Sequence, residues 1–130
     1  MKTKSFLIAG VVGGIADFLL GWLFYGMIFK NTFPQPDENS QAMLFIFLGC
    51  LTFGLFVSYI FTQWAQISTA VTGAKAGAII GLFVGLFHHF FDLAFNPDAA
   101  FGLVAIDMAI SIVMSAIIGA VIALVIGKTQ

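Results

Sequence analysis

Arginine is absent from this 130-residue sequence, and five lysines carry all of its basic charge against six acidic residues, for a net charge of −1. A chain without a basic cluster lacks the electrostatic footprint of a nucleic-acid binder, which excludes nucleic acid as a partner, and it has no polybasic segment to hold anionic headgroups. Cysteine is nearly absent too. Cys50 has no second thiol for an internal disulfide, and one thiol makes no metal knuckle; within its apolar run it reads as a small packing residue. Charged residues of both signs amount to 8%, far below the roughly 25% of soluble globular domains. Water is therefore not the main solvent of this chain.

What is present is apolar: 61% hydrophobic residues, 16 of them Phe, with a mean hydropathy of +1.08. These residues fall into four long runs, and about 20 apolar residues at about 1.5 Å each cross a hydrocarbon core of roughly 30 Å. The fold class expected is all-α, an integral membrane four-helix bundle forming one transmembrane domain over residues 1–130, with helices at about 5–29, 41–65, 73–95 and 99–127. Lys2 and Lys4 before an apolar stretch have the charge layout of a signal peptide, but the stretch runs on to Phe29 without a small-x-small cleavage site, so it is expected to stay as the first span. Pro34, Pro36, Asp37, Glu38 and Asn39 break the chain after it, with Ser40 as a cap for the second helix. The polar stretch 66–72 forms a short connection, and Asn96-Pro97-Asp98 turns the chain before the last helix.

Lysines decide orientation, because acidic residues contribute little to topology. A cytoplasmic N-terminus puts Lys2, Lys4, Lys75 and Lys128 inside and only Lys30 outside, so both termini are expected in the cytoplasm. Trp22, Tyr25 and Trp64 then fall where aromatic belts form. The lipid bilayer is the partner this pattern demands.

Between helices in lipid, close packing of small residues replaces the hydrophobic drive, and its mark is a small residue at every fourth position. Such ladders appear at Gly13, Asp17 and Gly21; at Cys50, Gly54 and Ser58; at Gly73, Gly77, Gly81, Gly85 and His89; and at Asp107, Ser111, Ser115 and Gly119. The ionisable residues within the spans, Asp17, His88, His89, Asp92 and Asp107, lie on these small-residue faces. They point at protein, as the cost of facing lipid, at least about 2.5–3.5 kcal/mol at mid-bilayer, requires. His89 lies six residues before Phe95 and Asp107 six after Phe101, so antiparallel neighbours bring them to equal height, while Asp17 lies nearer mid-membrane.

Intramembrane ionisable residues mark function by default. The site expected from Asp17, His88, His89, Asp92 and Asp107 faces outward and binds or handles a proton, a metal ion or a small polar solute. No cofactor is firmly implied. A divalent metal is the one candidate, on mixed nitrogen and oxygen ligands from His89, Asp92 and Asp107. The bland alternative is a hydrogen-bond network that fixes helix registry in an accessory or structural subunit without chemistry of its own. No nucleophile elbow or zinc-protease motif accompanies Ser111 or Ser115, so no enzyme is expected and no catalytic residue is assigned. Homo-oligomers and other membrane subunits are the protein partners to consider, since the glycine and serine ladders offer more packing surface than four helices need.

Gly21-Trp22-Leu23-Phe24-Tyr25, the Gly77, Gly81 and Gly85 ladder, and Ile106-Asp107 with Ile118-Gly119-Ala120 together resemble a bacterial domain-of-unknown-function family of small four-helix membrane proteins. The resemblance covers nearly the whole chain and implies the fold and a multi-pass location in the bacterial inner membrane. It brings no activity with it.

Overall fold

The computed structural model describes residues 3–24, 27, 40–96 and 101–129. The end of the first span, the 30–39 loop with its prolines, and the Pro97-Asp98 turn lie outside the described residues. Helices α1 (Thr3–Leu23), α2 (Ser40–Tyr59), α3 (Ala70–Phe95) and α4 (Phe101–Thr129) follow in order, and α2 runs on through a wider π-helical turn at Ile60–Trp64. Each is long and apolar enough to cross a membrane.

The π turn is a departure from the uniform second helix expected to residue 65. Within it the Thr62 hydroxyl donates to the Ser58 carbonyl at 2.9 Å, a back-bond of the kind that bends helices. The Ala65 N–H then reaches the Ile60 carbonyl at 2.9 Å. Gln66 leaves the helix with φ 55°, in the left-handed region. Helix α3 begins at Ala70, three residues before the expected start. Thr69 and Thr72 bond to each other through their hydroxyls at 3.0 Å, so polar residues that read as a connection sit comfortably in a first helical turn.

Packing is sequential around an open arc. Helix α1 packs on α2 and on α4, α4 packs on α3, and α2 barely approaches α3. The order across the arc is therefore α2, α1, α4, α3. Helix α4 is the most buried of the four and α3 the least.

Backbone proximity explains the ladders. A Cβ on Gly54 would collide with the backbone of Gly10 and Gly14 on α1, and one on Gly77 would collide with the carbonyl of Ser115 on α4. Gly119 meets the backbone of Gly73 and Gly77 in the same seam. Gly13 faces the Ile122 side chain, Gly81 faces Ser115 and Ser111, and Gly85 faces Met108. Gly21 is looser, with only the Met114 methyl at 3.9 Å. The ladders are thus occupied within the chain.

The two ends of the arc differ. Ala9, Val57, Phe61, Ile118, Ile122, Ala123 and Ile126 form a fully buried cluster toward the end that holds both termini. There the Ser58 hydroxyl donates to the Phe6 carbonyl at 2.8 Å and Thr129 bonds to Ser5 at 2.8 Å. The opposite half has no comparable seal among the described residues, and the cavity lies there.

Candidate functional site

Helical spacing sets the site. On α3, Gly81, Gly85 and His89 share one stripe, and on α4, Asp107, Ser111 and Ser115 share another; the glycines bring the two helices close enough for the polar ends of the stripes to meet. His89 Nε2 lies 2.5 Å from an Asp107 carboxylate oxygen. Both side chains are largely covered, 12% and 24% exposed. When the imidazole is neutral and Nε2–H donates to the carboxylate, Nδ1 is left as a lone-pair acceptor. That Nδ1 is buried and has no hydrogen-bond partner, and an orphaned buried polar atom in a native structure calls for an explanation.

The pair forms part of the wall of a cavity of about 270 Å³. Asp17 enters it from α1, Phe53 from α2, Val84, His88 and the two glycines 81 and 85 from α3, and Ser111, Met114 and Ser115 from α4. Its ionisable lining is two carboxylates and two imidazoles, with no lysine. Such a lining attracts a cation or a hydrogen-bond donor and repels an anion.

Of the five ionisable residues expected to act together, Asp17, His88, His89 and Asp107 line this one cavity and Asp92 does not. His88 is exposed on α3, its ring 5.4 Å from that of His89 in an edge-on contact. Asp92 is exposed and accepts a hydrogen bond from the Asn96 side chain at 3.0 Å. The expected metal set of His89, Asp92 and Asp107 is therefore not assembled. Asp92 lies almost one turn beyond His89 and takes Asn96, four residues on, as its partner; among the described residues no group of three His, Cys, Asp or Glu side chains is placed to hold a metal ion.

Cys50, read as a small packing residue, lies beside Asp17. Depth would have found the pair: Asp17 lies 14 residues after Thr3, and Cys50 lies 14 before Trp64, on antiparallel neighbours. Phe53, Val84 and Met114, the apolar wall of the cavity, carry no such signal, being ordinary members of apolar runs.

Four apolar, membrane-length helices around a largely apolar cavity with ionisable side chains in its wall define a multi-pass helical membrane protein. Residues 8–127, which include every lining residue of the cavity, match the family of proteins of unknown function DUF1761, and the chain belongs to that family. No curated protein and no solved structure matches it.

Proposed function

We propose that this protein sits in the bacterial inner membrane with both termini in the cytoplasm, and that its cavity takes up a proton or a small polar, positively charged solute from the outer side. The observation that carries this reading is the His89–Asp107 pair, held at 2.5 Å in the wall of a cavity that Asp17 and His88 also line. The carboxyl oxygens of Asp17 and Asp107 offer a cation what water would otherwise supply. A metal ion is not part of the proposal, because the described residues assemble no three-ligand set.

Methylammonium is the simplest probe. Purified protein should unfold at a higher temperature in its presence, because a ligand that binds only the folded state stabilises that state by mass action, and Asp107→Asn should lose most of the shift. A wild-type protein indifferent to methylammonium and to proton concentration alike would sink this reading in favour of an accessory subunit. The exposed apolar faces of α3, among them Phe83, Phe87 and Phe91, are what such a subunit would present to other chains.

Orientation rests on the lysine count. In a Cys50→Ala background, a cysteine at Asn39 should react with an impermeant maleimide added to intact cells, and one at Thr129 should not. The reverse pattern would invert the topology.

A further inference from the structure

We infer that the cavity is loaded sideways from the bilayer and that its ligand is the ammonium head of a cationic amphiphile, an inference that rests on the proposed cation-binding role of the cavity. The arc is the first support. Helices α2 and α3 are its two edges and barely approach each other, yet the cavity is lined by Phe53 of α2 on one side and by Gly81, Val84 and Gly85 of α3 on the other. The cleft between these edges leads to a wall whose ionisable side chains come from α1 (Asp17), α4 (Asp107) and the edge helix α3 itself (His88 and His89).

The second support is the division of the lining by chemistry. The carboxyl groups of Asp17 and Asp107 suit a group that carries positive charge and donates hydrogen bonds, which an ammonium does and a quaternary head does not. Phe53 and Val84, from the edge helices, and Met114 suit methylenes. Val84 is 43% exposed, as a residue at a mouth should be.

Volume is the third. A cavity of about 270 Å³ has room for a head group and its first few methylenes. A whole lipid does not fit. The tail must lie in the cleft and in the surrounding bilayer, which a closed four-helix ring would forbid and an open arc permits.

The test uses the full chain in phosphatidylcholine nanodiscs with three probes: dodecylammonium, methylammonium and dodecanol. Dodecylammonium should raise the unfolding temperature of the wild type at bulk concentrations where the other two do nothing. Asp107→Asn should weaken its binding by roughly tenfold or more, as loss of one charge-assisted hydrogen bond implies. Val84→Trp, at a half-open position that tolerates bulk, should block dodecylammonium with the fold intact. A diazirine placed near the head of the chain should crosslink to Phe53 and Val84. Equal responses to dodecylammonium and methylammonium would overturn sideways loading and leave the small-solute reading standing. Stabilisation by dodecylammonium that survives both substitutions, or crosslinks confined to outward-facing residues such as Phe83 and Phe87, would overturn the inference by showing plain membrane partitioning. No response to either amine would remove the cation site and this inference together.

Discussion

At the scale of single residues, the pairing of His89 with Asp107 was legible because six residues separate each from the facing ends of α3 and α4, and a helical rise of about 1.5 Å per residue converts equal counts into equal depth. The same counting joins Asp17 to Cys50, but a lone thiol in an apolar run usually packs, so chemistry masked what depth would have revealed. Asp92 is not brought together with His89 and Asp107 and instead accepts a hydrogen bond from the Asn96 amide four residues on. Interhelical hydrogen bonds within membranes average only about 0.6 kcal/mol, so stability is a weak reason to keep the His89–Asp107 pair. Asp107→Leu is expected to destabilise the protein by about 1–3 kcal/mol, because it strands the His89 donor in a covered site. Asp107→Asn, which still accepts a hydrogen bond, should cost less. The double variant His89→Leu with Asp107→Leu should recover part of the loss, since removing both partners leaves no stranded group. Reversible unfolding in mixed micelles measures all three, and a double variant worse than either single one would mean that the pair is structural.

At the scale of helices, the four-residue ladders made the α3–α4 seam readable, since Gly73, Gly77, Ser115 and Gly119 meet there with backbones nearly touching. The π turn at Ile60–Trp64 was not readable, because Thr52 makes the same back-bond as Thr62 without leaving the regular helix. That α4 is the most buried helix and α3 the least follows their apolarity, since α4 is the longest and most apolar span and α3 the least apolar, but their order across the arc is set by packing. The ladders do yield a sharp contrast between glycines. Gly77→Ala would push a methyl into the Ser115 carbonyl, an overpacking expected to cost about 1–3 kcal/mol. Gly49→Ala meets nothing within 4 Å and should be neutral or stabilising by up to about 1 kcal/mol through helix propensity. Unfolding of the two variants side by side tests the seam; equal effects would show that α3 and α4 are not in backbone contact.

At the scale of the whole molecule, the described residues seal the arc toward the termini and form no comparable seal toward the other end, and this asymmetry limits what the protein can do. Toward the termini, Phe61, Ile118, Ile122 and Ile126 are no more than 1% exposed, and Gly77 and Gly119 bring α3 and α4 into contact with no space for water between them. Beyond that seal the polar lining begins, with Ser115, Ser111, Asp17, Asp107 and His89. A relay or pore needs polar groups within hydrogen-bonding or single-water reach all the way across, and no such series crosses the apolar cluster among the described residues. The sequence already hinted at this, because the span ionisable residues other than Lys75 crowd into one half of the bundle; what it did not show was that isoleucine side chains of α4, rather than glycines alone, make the seal. Static passage is therefore not expected. Proteoliposomes carrying the wild type should leak protons and monovalent cations no faster than empty liposomes when monitored with an internal pH dye under a valinomycin-clamped potassium gradient. Ile118→Ala with Ile122→Ala, which removes two side chains from the seal, is the variant in which a leak should first appear. A flux through the wild type that Asp17→Asn abolishes would show that the seal opens and that the cavity is one station on a path across the membrane.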